Sequence, residues 1–295
     1  MVLAANVFLG CGQIESVIPD EAASTDPCDP LAPFDPPQLV AGIGANGSPA
    51  DPALSPDELT LLLTQTTPAG DRDVYVASRS HVTDAFGAPV PLASVDSTSE
   101  EASATLASTG LMLMFQSHRI AAEGEHLFVA TRSSLVADFG APALVAGVRS
   151  PVATDSDLEP FLTADGQELW FISDRTGNRE IFRAEKAGAG FANPVLVPEL
   201  SSPSSEQHVT LSADRLTVYF SSNRQAAGTS GGFDVYRAHR SSVTDDFGTP
   251  VPVPELNTAG DDSPRWLSAD SCRLYMHAKV GTGFKLFVAT RHPAS

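Results

Sequence analysis

One phrase occurs five times along this chain, and it limits the fold more than any other feature. Phe-x-x-Pro followed by an apolar pair three residues apart appears at Phe34 and Pro37 with Val40 and Ile43. It returns at Phe86 and Pro89 with Leu92 and Val95, and at Phe139 and Pro142 with Val145 and Val148. The last copies are Phe191 and Pro194 with Val197 and Leu200, then Phe247 and Pro250 with Val253 and Leu256. The phenylalanines are 52, 53, 52 and 56 residues apart. Spacing this even marks one supersecondary unit used repeatedly.

Other parts of the unit keep the same register. A Leu and a polar turn recur at Leu54-Ser55-Pro56-Asp57, Leu106-Ala107-Ser108-Thr109, Leu162-Thr163-Ala164-Asp165, Leu211-Ser212-Ala213-Asp214 and Leu267-Ser268-Ala269-Asp270. A further segment recurs as DVYVASR (73–79), HLFVATR (126–132), EIFRAEK (180–186), DVYRAHR (234–240) and KLFVATR (285–291). Alternation with period two, β-branched and aromatic enrichment and intervening turn residues predict strands, and no helical period is sustained. Each unit therefore holds four strands: an inner one ending at the Leu, a second after the turn, a third with the Tyr/Phe segment, and an outer one with Phe-x-x-Pro. Four-stranded units of this length arranged round an axis are propeller blades.

The order of the copies predicts how the ring closes. The final unit stops after its third strand, and its missing outer strand is the orphan copy at residues 34–43. An all-β, five-bladed propeller of antiparallel blades follows, with the N-terminal strand completing the C-terminal blade so that no edge is left open. The predicted blades are residues 49–95, 101–148, 157–200, 206–256, and 262–291 with 34–43, in one domain spanning 34–291.

Hydrophobic residues make up 42% of the 295, enough for a sizeable core. The formal net charge of -18 excludes a nucleic-acid surface, which needs a positive footprint. Neither Lys nor Arg occurs before Arg72. Residues 1–33 read as a signal-like start and an acidic leader, since residues 14–33 have the Asp, Glu, Pro, Ala and Ser content of a solvated tether. Phe8-Leu9-Gly10-Cys11 resembles a bacterial lipoprotein processing site with Cys11 as the lipidated residue, although the positive n-region of a secretory signal is missing. The expectation is an exported protein, periplasmic or an outer-membrane lipoprotein. Cys28 and Cys272 remain; one precedes the closing strand and the other begins the second strand of the blade it completes. They are the expected disulfide, pinning the closure in an oxidising compartment.

The stretch EPFLTADGQELWFISDRTGNREIF (159–182) is similar to the TolB-like, WD40-like propeller repeat of bacterial envelope proteins. Asp165-Gly166 and Ser173-Asp174-Arg175 carry the resemblance best, with Ser221-Ser222-Asn223-Arg224 and Ser117-His118-Arg119 close behind. Ser55-Pro56-Asp57-Glu58 lacks the Gly, and the fifth blade has AKVGTG (278–283) in place of the Arg turn. The resemblance covers about residues 34–291 and implies fold more than activity, since such repeats occur in TolB, in sensors and peptidase-associated domains, and in some carbohydrate enzymes.

Propellers bind ligands round the axial tunnel, where the inner strands start. Five residues before the Leu of each inner strand stand Pro49, Glu101, Asp157, Glu206 and Asp262; three before it stand Asp51, Ser103, Glu159, His208 and Pro264. An acidic rim is expected, with Asp51, Glu101, Asp157, Glu159, Glu206, His208 and Asp262 as candidate ligand-binding residues. Three readings stay open: carboxylates that cap loops, a cation site for calcium, and glycoside hydrolysis by two carboxyl groups. The calcium reading lacks an Asp-x-Asp-x-Asp-Gly loop. The hydrolase reading would use Asp157, Glu159 and Glu206, with Trp266 either stacking on a sugar or packed between blades. Phosphate loops, Cys/His metal spacings and a Gly-x-Ser-x-Gly elbow are all missing. The Ser-x-Arg turns are too evenly distributed for an active site and are expected to bond neighbouring carbonyls or carboxylates.

The primary expectation is a non-catalytic, monomeric binding or scaffold propeller of the cell envelope, presenting its acidic rim to an envelope protein or glycan. It would need no cofactor beyond calcium at that rim and would touch membrane only through a lipid anchor. The alternative is a carbohydrate-active, glycosidase-like enzyme using rim carboxylates.

Overall fold

The computed structural model describes residues 28–30, 32–44 and 46–291. Cys11 and the leader as far as residue 27 lie outside the described residues. Five four-stranded antiparallel sheets form the ring. Blade I consists of Ala50–Leu54, Thr60–Thr66, Arg72–Ser78 and Val90–Pro91. Blade II is Glu101–Leu106, Met112–Ser117, His126–Thr131 and Ala143–Leu144, and blade III is Asp157–Leu162, Glu168–Ser173, Glu180–Ala187 and Gly190–Leu196. Blade IV comprises Glu206–Leu211, Thr217–Ser222, Asp234–His239 and Val251–Pro252. Blade V takes Asp262–Leu267, Arg273–Val280 and Gly283–Thr290 from the C-terminal end and Gln38–Leu39 from the N-terminal end. The chain is therefore a five-bladed propeller closed as the repeat order predicts. Gln38 pairs with Val288 and Leu39 with Phe287.

The repeated residues hold the blades together. All five motif phenylalanines are buried, and each lies under the basic residue that ends a third-strand segment. Arg79 covers Phe86 at 4.3 Å, Arg132 covers Phe139 at 4.6 Å, Lys186 covers Phe191 at 4.8 Å and Arg240 covers Phe247 at 4.3 Å. Arg291 completes the series over Phe34 at 3.8 Å. A cation over an aromatic face, half desolvated, is worth about 1 kcal/mol and also shields the Phe edge from water. The turns after the inner strands have a local cause too. Ser55, Thr163, Ser212 and Ser268 each donate to the Asp two residues on, and that Asp accepts a backbone N–H two residues further along.

Apolar side chains pack between neighbouring blades, leaving one level of the axis to polar groups. Leu158, Trp170 and Ile172 of blade III meet Val209, Leu211, Val218, Phe220 and Phe247 of blade IV. Phe34 packs against Tyr219 of blade IV, so the closing segment seals blade V to its neighbour. The expected Cys28–Cys272 disulfide is present and ties the start of the described chain to the turn leading into the second strand of blade V. No helix among the described residues is long and apolar enough to cross a membrane.

The bridge spans 244 residues of sequence, so opening it releases a large loop in the unfolded chain. Cys272→Ser is expected to cost about 2–4 kcal/mol and to lower Tm by several degrees in scanning calorimetry. A Tm equal to that of the oxidised parent would show that closure does not need the pin.

Candidate functional site

Every inner strand breaks register once where it faces the axis. The slips lie between Ala50 and Ala53, Ala102 and Thr105, Leu158 and Phe161, Gln207 and Thr210, and Pro264 and Trp266. In four blades the displaced residue has left-handed backbone: Asp51, Ser103, Glu159 and His208 have φ of 53°, 53°, 54° and 52°. These are the positions three before the strand-ending Leu. Non-glycine residues in this region carry strain of about 1 kcal/mol or more, and bulges re-aim side chains. Proline cannot take a positive φ. In blade V the slip therefore brings Arg265, not Pro264, to the unpaired position.

A bulge also leaves an N–H without a partner in its own ladder. The preceding blade supplies the acceptor from its second strand, opposite the residue four before the Leu that ends its own inner strand. The Ser103 N–H donates to Thr64 Oγ1 at 3.1 Å, the Glu159 N–H to Gln116 Oε1 at 2.9 Å, and the Asp51 N–H to His277 Nδ1 at 3.0 Å. Blade III has Ile172 at this place, which accepts nothing. There the His208 N–H donates to Glu159 Oε2 at 2.6 Å instead. Blade IV has Ser221, and the residue it would serve, Pro264, has no N–H.

These constraints gather five charged or titratable side chains at the axis: Asp51, Glu159, His208, Arg265 and His277, all buried. His208 Nε2 lies 3.4 Å from Asp51 Oδ1 and 3.4 Å from Glu159 Oε1. Arg265 Nε and His277 Nδ1 each stand 3.6 Å from the same Asp51 oxygen, and Thr64 donates to Asp51 Oδ2 at 2.9 Å. Burial pushes the Asp51 carboxyl upward, but Arg265 and the two imidazoles outweigh it and hold the group well below the usual carboxylate range. Burial, His208 and Arg265 push His277 down to about 3, against the opposing pull of Asp51. A neutral His277 is the form that can accept the Asp51 N–H.

Three of the seven candidate ligand residues, Asp51, Glu159 and His208, are thus brought together. Glu101, Asp157, Glu206 and Asp262 are not on a solvent-facing rim: all are fully buried at the strand starts between blades. Arg119 lies 3.1 Å from Glu101 and Arg224 2.8 Å from Glu206, while Arg175 pairs with Asp157 at 2.5 Å. The same arginines donate to the carbonyls of Val95, Leu200 and Val148. Asp262, in the blade without an Arg turn, takes the Thr258 N–H and hydroxyl. Asp157 and Glu206 therefore stand outside the axial cluster, leaving Glu159 as the one member of the expected hydrolytic set within it. His277, Arg265, Thr64 and Gln116 escape an alignment of inner strands alone. His277, Thr64 and Gln116 share one place, three residues after the buried Leu274, Leu61 and Leu113 of the second strands.

Asp51, His208 and His277 offer three ligand atoms within 4.8 Å of one another. They do not suit a divalent ion. His277 Nδ1 is already occupied by the Asp51 N–H, and the Arg265 guanidinium occupies the remaining side of Asp51. The buried strand-start carboxylates expected to hold calcium already take Arg, Ser and Thr donors, with Glu206 Oε2 left without one.

One layer further along the inner strands the tunnel opens into an apolar funnel of about 240 Å³, lined among others by Leu54, Leu106, Phe161, Leu211 and Trp266. Trp266 is partly buried at this mouth, against Tyr275.

No protein-family model and no curated protein sequence matches the chain. Solved structures do share the fold. A thermostable family-43 glycoside hydrolase superposes with a TM-score of 0.58 at 12% identity, covering 88% of this chain and 98% of that one. An α-L-arabinofuranosidase from Podospora anserina, solved with cellotriose, gives 0.56 at 11% identity over 91% and 99%. TolB from Acinetobacter baumannii gives 0.42 at 15% identity, over 82% of this chain and 54% of that one. At these identities the likeness shows the five-bladed fold. It does not establish membership of the TolB-like family, and it corrects the expectation of a non-catalytic envelope scaffold. Among the structures matched nearly end to end are these glycoside hydrolases, the class named in the alternative reading.

Glu206 is expected to depend on its cation. Arg224→Ala leaves a carboxylate buried beside Glu180 without compensation, at a cost of about 3–5 kcal/mol, seen as a lower urea midpoint at pH 7. An unchanged midpoint would mean that Arg224 only covers Phe220 and Tyr236.

Proposed function

We propose that the chain hydrolyses glycosidic bonds, with Asp51 and Glu159 as its carboxyl pair. The supporting observation is that both carboxyl groups reach the same imidazole nitrogen, His208 Nε2, at 3.4 Å. Two oxygens so placed are at most about 7 Å apart, an upper bound that admits the carboxyl separation of about 5 Å used by retaining glycosidases. Asp51, held ionised by Arg265 and its contact with His208, is the group to attack the anomeric carbon or to activate a water there. Glu159 is the group to protonate the departing oxygen. His208, which bridges the pair in the free protein, gives way as the sugar enters between them. The apolar funnel with Phe161 and Trp266 suits the face of a single sugar ring, so the favoured bond is at a terminus or a branch. The Cys28–Cys272 bridge supports an exported protein meeting its glycan outside the cytoplasm.

Incubating the full chain with arabinofuranosyl-decorated xylo-oligosaccharides and a panel of other glycans, and measuring released reducing ends, tests this. Release is expected, with Asp51→Asn and Glu159→Gln each reducing it by about 10²–10⁴-fold while far-UV circular dichroism stays that of the parent. Absence of release across the panel, or release that survives both substitutions, rejects the assignment.

A further inference from the structure

In blades II, III and IV the third strand begins beside the first residue of the next inner strand. The N–H groups of Asp157, Glu206 and Asp262 donate to the carbonyls of Glu125, Arg179 and Phe233, the residues just before those third strands. The side chains that meet at these junctions are therefore set by register. At II–III the third strand contributes His126. At III–IV it contributes Glu180, which meets Glu206; at IV–V it contributes Asp234, whose charge acts on Asp262. Like charges are thus built into these two adjacent seams, and a third carboxyl cluster, Asp73 with Asp96 and Glu101, lies at I–II, where burial and its neighbours' charges raise Asp73 to about 6.

Glu206, Asp234 and Asp262 are 0% exposed and Glu180 only 8%, so water cannot screen these contacts. Glu180 Oε2, Glu206 Oε2 and Asp234 Oδ2 have no hydrogen-bond donor in reach. Ionised oxygens cannot stay in that condition without a large desolvation cost. A single proton between two carboxyl groups supplies the missing donor and removes the repulsion at once.

We propose that the III–IV seam is closed by one proton shared between Glu180 and Glu206, so that the ring is held tightest in mild acid. The charged surroundings agree. Glu180 faces Glu206 and the hydroxyl of Ser201, with Arg224 bound to the other Glu206 oxygen. Asp262 is acted on by the charges of Asp234 and Asp261, the latter paired with Lys279 at 3.4 Å, and takes donors from Thr258. Burial, contact with Glu206 and the Glu206 charge push Glu180 up to about 7; burial and the charges of Asp234 and Asp261 push Asp262 up to about 6. Carboxyl groups raised in this way hold protons that the unfolded chain has released. Their contribution falls as pH climbs from about 4.5 towards 7, the reverse of an ordinary salt-bridged Asp. Below that interval Asp57, Asp165, Asp214 and Asp270, all lowered in the turns, lose their bonds and stability declines again.

Tm of the oxidised full chain is to be measured from pH 4 to pH 8.5 at constant ionic strength with EDTA present. The expected result is a maximum near pH 5 and a fall of several degrees by pH 8. Glu180→Gln, whose amide carries a permanent donor, should raise Tm at pH 8 and flatten the slope, and Glu180→Ala, which removes the charge, should flatten the slope as well. Glu185→Gln, which removes an exposed charge, should leave the slope alone. If one seam variant fails to fold, the other decides. A Tm constant from pH 5 to 8, or seam variants with the parent's slope, would overturn the proposal. So would a pH 8 Tm restored by millimolar calcium chloride without EDTA, because the seam would then take a cation in place of the proton.

Discussion

The ring depends on how it treats one N–H per blade. An inner strand that bulges towards the axis frees a backbone donor in a place with little room for water, and a buried donor without an acceptor costs about 1–3 kcal/mol. Thr64, Gln116 and His277 each answer the donor of the following blade. The bulge is thus also the clasp between blades. Changing any member alters both a tunnel wall and an interblade contact.

Where that scheme cannot be followed, the exceptions shape the centre. Ile172 offers no acceptor, and Glu159 turns one oxygen to the His208 N–H. Its other oxygen is left facing the His208 ring, 3.4 Å from Nε2. Pro264 offers no donor and cannot occupy the left-handed position, so the register slip passes to the next residue and places a guanidinium beside Asp51. The charge balance of the axis follows from these two irregular blades.

The propeller and its closure were legible in the sequence because both rest on a period. Any five-fold recurrence with an orphan fourth strand has one economical arrangement. The site was legible only in part, because two registers on the same strands looked alike. Residues three before the Leu include Asp51, Glu159 and His208, which do converge. Residues five before it are just as acidic, yet Glu101, Asp157 and Glu206 face the Ser-x-Arg turns of their own blades. Their matching arginines were visible, although a turn arginine has no sequence signal for which carboxylate it reaches. Arg265 was hidden for another reason: its place depends on a slip that proline imposes in three dimensions.

What sets the axis apart is that the copies disagree there. The cation over the motif phenylalanine is repeated in all five blades with little change, as a structural duty requires. At the bulge the five blades supply Asp, Ser, Glu, His and, through the slip, Arg. Had the positions served only to turn the strand, one small residue would suffice five times, and the strain of a left-handed Asp, Glu and His would bring no return. An ionised carboxylate, a second carboxyl and an imidazole between them form a set in which proton donor and acceptor are separated by one ring. Symmetric copies of one residue could not separate those roles, which is the physical reason to place chemistry here and support elsewhere.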